Sequence, residues 1–477
     1  MDWRRDIGRG LRLFVLLGLG ALVGYAIGSP RAPERPRPAV VPGPAEFTAG
    51  SPRVAELRAA ARDANVVICV LDAARADHIG CYGYPRETTP NIDRLARESL
   101  VFENHFCQLP TTRPSTYSLF TSQYPDTHLV YGPRTVYPWT FTMAEGLKAS
   151  EFRTVLFSNN VYCSPAMGLG TDFDETHYVT DIPRLMTRGP QTLLDKISSW
   201  LEEGRESRFF AYVHFLPPHF PYNAPEEMKA LFAGQQPPGF ERGDVEMVNE
   251  YDANLLYADW AVGELEGLLR EAGVLDDTVF IVTADHGEAF GEHGHKWHES
   301  CPYDEAIRIP ILMRLPGARR TAARITALTQ VIDLMPTLFD LFEIPYPEQG
   351  MQGKSLLPVL AGEVDGVNNY AFSRTVGDNP CYVVRDHRWA LLLYQGGEKR
   401  ELYDMEADPG QTRNIIEENP ARAAELEAVF RAFAVEQRSP PLDFVDPDAE
   451  VRGRPGAPEI EVDEETIRQL KALGYLR

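Results

Sequence analysis

The sequence predicts an α/β protein: a sandwich with a mainly parallel central sheet, followed by a small C-terminal α+β subdomain. Three observations carry that prediction. Short β-rich runs that are apolar at every position end abruptly in polar residues, as in Asn65-VVICVL before Asp72 and Thr278-VFIVTA before Asp285. Runs of this kind suit strands buried on both faces of a parallel sheet. Helical patterns lie between them, and strand–helix alternation indicates a sheet covered by helices. Beyond about Pro345–Gly353 the pattern changes to short alternating runs.

Along the chain, strands are expected over 65–71, around Thr154-VLF, around Phe209-FAYV and over 278–284. Helices are expected over 90–97, 142–148, 191–203 and 251–271. The runs NNYAFSRTV, CYVVRD, RWALLLY and RELYDM within 368–405 read as a small antiparallel sheet. A helix near 421–433 and a closing helix over 464–473 complete the chain, with a Pro- and acid-rich linker over 439–458. The expected organisation is therefore a leader over 1–28, a Pro/Arg-rich lead-in over 29–60, a catalytic domain over 61–345, a subdomain over 346–440 and a tail over 441–477.

Composition narrows the function. The chain has 477 residues and a net charge of −22, with 44% hydrophobic residues. That is ordinary globular usage and excludes wholesale disorder or a multi-span membrane protein. Residues 1–38 hold seven Arg against three acids, so the body after them carries 40 basic and 66 acidic residues. Such a body repels phosphate backbones, and no nucleic-acid partner is expected. A small anionic substrate needs its own local cations or a metal. Six scattered cysteines without a CxxC pair make neither a disulfide scaffold nor a zinc site. Arg4, Arg5, Arg9 and Arg12 precede the apolar stretch 13–27, the pattern of an export signal. No AxA-like site follows, so an uncleaved signal anchor is expected, with the body outside the cytoplasm and secretion as the outcome if the signal is cleaved.

In open α/β sheets, ligands gather beyond the carboxyl ends of the strands. Asp72, His214, Asp285 and His286 all fall there. Thr111-Thr112-Arg113-Pro114-Ser115 leads into a helical stretch over 116–121, whose exposed N–H groups attract an anion. A Thr hydroxyl is a poor nucleophile until a bound metal lowers its pKa.

Several blocks then resemble one family. Asp72-AARADHIGCYG, Thr89-PNIDRLA and TRPSTYSLFTSQYP (112–125) resemble the N-terminal half of the sulfatase family, in the alkaline phosphatase superfamily. Thr283-ADHGEAFGEHG, Tyr303-DEAIRIPILMRLPG and Glu401-LYDMEADPGQTRN resemble its later blocks. The resemblance implies an alkaline-phosphatase/sulfatase-like sandwich and a metal-dependent ester hydrolase. It places one divalent cation on Asp72, Thr112, Asp285 and His286, and three oxygen groups with one imidazole suit Zn or Mn in preference to Ca or Mg. Thr112 becomes the nucleophile, His219 and His298 catalytic partners, and Arg113, His214 and Lys296 substrate-binding groups.

The departures shape the expected chemistry. Thr112 stands at the head of the family's C-x-P-S-R motif, where Cys or Ser is oxidised to formylglycine, so no formylglycine is expected. Thr116 replaces the motif Arg, Ala73 replaces the second Asp of a pair, and Ser158-Asn159-Asn160 replaces a lysine block. A Thr nucleophile resembles the phosphodiesterase and phosphoethanolamine-transferase branches, which favours phosphate over sulfate esters. Two alternatives remain: a membrane-anchored phosphotransferase acting on envelope lipids or glycans, and a non-catalytic glycan-binding member.

Overall fold

The computed structural model describes residues 51–437 and 464–472, apart from 132–140, 180–181, 204–206, 242, 318–321, 347–349, 378 and 398. The expected leader over 1–28 and linker over 439–458 lie outside the described residues. Among the described residues no helix is long and apolar enough to cross a membrane.

Eight strands form the main sheet: β1 (Asn65–Leu71), β2 (Leu100–Phe106), β3 (Arg153–Ser158), β4 (Glu175–Tyr178), β5 (Phe209–Phe215), β6 (Thr278–Ala284), β7 (Ile311–Arg314) and β8 (Ala323–Gln330). Their order is β4-β3-β5-β1-β6-β7-β2-β8. β1 pairs in parallel with β5 and β6, and β3 with β4 and β5. β7 runs antiparallel between β6 and β2, so the sheet is mixed but mainly parallel. β1, β5 and β6 are buried at every residue, as their uninterrupted apolar runs require. The second sheet, of β9 (Ala371–Arg374), β10 (Cys381–Arg385), β11 (Trp389–Tyr394) and β12 (Arg400–Asp404), is antiparallel throughout. Leu426, Phe430 and Phe433 of the helix Pro420–Gln437 pack against Val384, Leu391, Leu393 and Leu402 of that sheet. The Ser373 hydroxyl donates to the Cys107 carbonyl and joins the two sheets.

Helix ends show why several elements outrun their sequence patterns. The helix expected from Tyr251 begins at Val245, because the Asp244 side chain accepts from the Met247 N–H at 3.1 Å and caps it. The helix expected from Gln191 begins at Ile182 and carries Pro190 inside it. The helix Met143–Ala149 has the full capping box of Thr142 and Glu145. The helix Pro90–Ala96 has no cap of its own from Thr89. Asp259, on the long helix Val245–Glu271, supplies one instead, accepting from the Asn91 and Ile92 N–H groups at 3.0 and 2.8 Å. Burial pushes that carboxyl up to about 6, against the pull of these hydrogen bonds. Asp259→Ala therefore orphans two first-turn N–H donors, the Asn91 one half-buried and the Ile92 one buried. It should lower unfolding stability by about 1–2 kcal/mol in urea with an unchanged slope; stability within error of wild type would show that this tertiary cap contributes nothing.

Candidate active site

Parallel pairing builds the site. Leu71 of β1 pairs with Ala284 of β6, so the next residues, Asp72 and Asp285, emerge side by side. Val70 of β1 pairs with His214 of β5, which brings the imidazole to the same edge. Asp72, His214 and Asp285 are buried and offer ligand atoms that all lie within 4.8 Å of one another.

The fourth component arrives on a helix tip. The helix begins at Thr112 itself, not at Thr116, with Thr111 in the cap position. Pro114 is tolerated there because first-turn N–H groups have no intrahelical acceptor. The Ser115 hydroxyl donates to the Asp285 carbonyl at 2.6 Å and ties the tip to β6. Thr112 Oγ1 then sits 3.4 Å from Asp72 Oδ1 and 3.2 Å from His286 Nε2. His286 Nε2 lies 3.6 Å from both Asp72 Oδ1 and Asp285 Oδ2. Donors about 2.1 Å from a common ion stand ~3.4 Å from each other in a tetrahedron. The spacings fit that figure.

The orientation of each group is fixed from outside. The His286 Nδ1–H donates to the Gly287 carbonyl at 2.8 Å, which turns Nε2 inward. Gly287 cannot carry a side chain, since a Cβ there would stand 2.0 Å from the Glu305 carbonyl oxygen. Asp285 Oδ1 accepts from the Ala73 and His286 N–H groups at 3.1 and 2.9 Å. Its Oδ2 is buried and has no hydrogen-bond partner among the described residues. A buried carboxylate oxygen without a donor is the atom a cation would satisfy. Ala73 has φ +63°, a left-handed conformation uncommon for a residue with a Cβ, held by that hydrogen bond and by the Tyr251 hydroxyl on its carbonyl.

Electrostatics agree with the geometry. Burial opposes ionisation of Asp72, yet the His219, His214 and His286 imidazoles outweigh it and hold the carboxyl well below its usual range. Burial and the Asp72 charge push Asp285 up. Burial pulls His286 down, which keeps the neutral ring that a metal ligand needs. Two carboxylates in one dry site repel, and a divalent cation relieves both.

The remaining expected residues separate. The rings of His286 and His298 stack at 4.1 Å, and His219 lies 5.2 Å from His298 and 6.2 Å from His286. His298 Nδ1 pairs with Glu288 at 2.9 Å, while burial and His219 lower its pKa to about 4. His214, expected to touch substrate, is fully buried instead, with Nε2 at 3.1 Å from Asp72 and Nδ1 at 2.9 Å from the Tyr212 hydroxyl. Arg113 is buried and gives Nη2 to the Met167 carbonyl at 3.0 Å. Lys296 spends its ammonium on Asp244, an exposed pair at 2.9 Å. An open cavity of about 770 Å³ is lined by Arg75, Glu292, His293 and Glu305, and none of the carboxylate-cluster residues borders it.

Three contributors escaped the sequence reading. Asn160 donates from Nδ2 to Asp72 Oδ2. Glu288 holds His298, and Cys163 Sγ stands 3.4 Å from His214 Nδ1. Asn160 carried a weak signal, since it sits in the block where the family has a lysine.

The family model described as Sulfatase matches residues 64–344. The chain belongs to the sulfatase family. A second model, N-sulphoglucosamine sulphohydrolase C-terminal, matches residues 291–433. An ulvan-active sulfatase of Formosa agariphila is 25% identical over 74% of this chain and 77% of its own length. Human arylsulfatase A is 26% identical over 75% of this chain and 84% of its own. A phosphonate monoester hydrolase of Agrobacterium radiobacter has the same fold, with TM-score 0.71 and 20% identity over 78% of this chain and 96% of that one. This sulfatase-family chain is thus a hydrolase of sulfuric or phosphoric esters, and members of its family are metal-dependent.

The cluster makes a direct prediction. Mn²⁺ or Zn²⁺ at about 100 times its Kd should stabilise the chelator-treated protein by ~2.7 kcal/mol, read as a rise in Tm. Asp285→Asn should abolish that rise. An equal rise in Asp285→Asn would place the ion elsewhere.

Proposed function

We propose that the protein is a metal-dependent phosphoester hydrolase, with sulfate esters as the lesser substrate, in which Thr112 is the nucleophile. The observation that supports this most is the contact of Thr112 Oγ1 with both Asp72 Oδ1 and His286 Nε2 at a helix tip. Asp72, Asp285, His286 and Thr112 would hold the ion, Zn or Mn in preference to Ca or Mg, with His214 close behind Asp72. When bound, such an ion lowers the pKa of the hydroxyl and offsets charge on the ester oxygens.

Thr112 Oγ1 gives its proton to solvent and attacks phosphorus in line with the leaving oxygen, and the bond from phosphorus to that oxygen breaks as the new one forms. The N–H groups at the start of the helix Thr112–Thr121 face the ester oxygens and share their charge. His219 and His298 serve the leaving oxygen, one of them supplying its proton. Glu288 and the Phe220 carbonyl, which accepts from His219 Nδ1–H, fix the two rings. Thr112 carries one oxygen, so its ester cannot collapse by elimination. Water must attack the same phosphorus to release it, and a step of that kind is open equally to an acceptor alcohol in a transferase.

The test is a panel of nitrophenyl phosphate, bis-nitrophenyl phosphate and nitrophenyl sulfate, with mass spectrometry of acid-quenched protein. Wild type should turn over the phosphates faster and carry an adduct of one phosphoryl group on Thr112. Thr112→Ala should lose at least about 10³-fold in kcat. Faster sulfate turnover would reverse the phosphorus preference, and full activity in Thr112→Ala would remove the covalent route.

The same reading places the body outside the cytoplasm on its Arg-flanked N-terminal segment. The full chain should sediment with membranes and a chain lacking residues 1–45 should not. Equal partitioning of the two would remove the anchor.

A further inference from the structure

The loop 287–303 has a base and a tip. At the base Ala289 and Trp297 exchange N–H to carbonyl hydrogen bonds in both directions, at 3.2 and 3.0 Å. Flanking that pair are Glu288 and His298, bound to each other at 2.9 Å. At the tip the Gly294 N–H donates to the Gly291 carbonyl at 3.1 Å, and both glycines take positive φ. His293 lies in that turn.

Both ring nitrogens of His293 meet acceptors. Nδ1 stands 2.6 Å from Glu305 Oε1, and Nε2 stands 3.1 and 3.2 Å from the carbonyls of Gly410 and Gln411. A neutral imidazole carries one N–H and would turn a lone pair toward one side. The imidazolium satisfies both. Tyr303 stacks on the ring, with centroids 3.8 Å apart and planes at 11°. The Gln411 side chain also accepts from the Asp304 N–H at 2.8 Å, so residues 410–411 of the C-terminal subdomain are held at two points. His293, Glu305 and Gly410 border the open cavity, which gives protons a route to the contact.

We propose that His293 is a proton-operated latch: as an imidazolium it fastens the tip of the loop 287–303 to the turn 408–412, and as a neutral ring it lets go. Glu305 is the carboxylate that faces it. Glu292 and Asp77 are occupied by Arg75 at 2.5 and 2.7 Å, and Asp304 lies 3.6 Å from Arg385. Asp408 accepts from Thr412 and Arg413, and Glu401 takes the Tyr303 hydroxyl and Lys399. Burial opposes the charge on His293, yet Glu305 and the two carbonyls outweigh it and raise its pKa above the ordinary histidine value. The latch therefore contributes fully below that ordinary value and is lost as pH rises through the higher folded one. Neighbouring groups hold their state meanwhile, since burial pushes Cys301 and Tyr303 up and pulls His295 down. The base of the loop carries His298, so opening loosens the proposed site. That consequence rests on the hydrolase reading; the latch itself does not.

Hydrogen exchange tests this without turnover. The full chain in detergent is labelled at pH 6 and pH 9, and each rate is divided by the intrinsic rate at that pH. Peptides from 289–299 and 408–413 should lose about fivefold in protection at pH 9, while β1 and β6 keep theirs. His293→Gln should show the looser state at both pH values, and Glu305→Gln should move the change to lower pH. Equal protection of the wild-type peptides at the two pH values would overturn the latch, and so would a loss of the same size in His293→Gln. The wild-type comparison decides even if a variant fails to fold. Absent ester turnover would defeat the hydrolase reading and leave the exchange result standing.

Discussion

Two carboxylates are buried side by side because two strands are neighbours. Asp72 and Asp285 are the first residues past β1 and β6, and the parallel register leaves them nowhere else to go. In a site closed to water, like charges at this range are unfavourable unless something positive lies between them. Local imidazoles answer part of this. The rest of the site is arranged around the remainder, from the unsatisfied Asp285 Oδ2 to the Thr112 hydroxyl on a helix tip pinned by Ser115.

The departures from the family pattern fall within this constraint. Ala73 stands where the family has a second carboxylate, and its contribution is a backbone N–H to Asp285. Removing that charge leaves fewer anions to neutralise, while His214 and Asn160 hold Asp72 from behind. Thr116, in place of an arginine, lies against Cys163, which in turn contacts His214. The loss of a cation on the helix is thus accompanied by a buried polar cluster beside β5, which backs Asp72 through His214.

Much of this was legible in residue order, for a physical reason. β1 and β6 are apolar at nearly every position and give way to Asp72 and Asp285, so those strands and their site edge can be read directly, whereas His214, expected past the end of β5, is its last residue but one. β2 interrupts its run with Glu103, Asn104 and His105, and β8 is exposed over its first half, so neither stands out as a central strand. The small sheet was read from its short apolar runs, and both of its faces are buried, one against the helix Pro420–Gln437 and the other in the main core. Among site residues, strand-end groups were readable and supporting groups were not. Asn160, Glu288 and Cys163 act through partners 88, 10 and 51 positions away, and only the folded chain brings them together.

Whether one ion joins Asp72, Asp285, His286 and Thr112 is decided by anomalous diffraction. Crystals grown with Mn²⁺ or Zn²⁺, with data collected on either side of the metal edge, should show one dominant peak. It should lie about 2.0–2.2 Å from Thr112 Oγ1, His286 Nε2 and one oxygen of each carboxylate. A peak at another place, with Thr112 Oγ1 still on Asp72 and His286 and no density among the four side chains, would contradict a shared cation and the catalysis built on it.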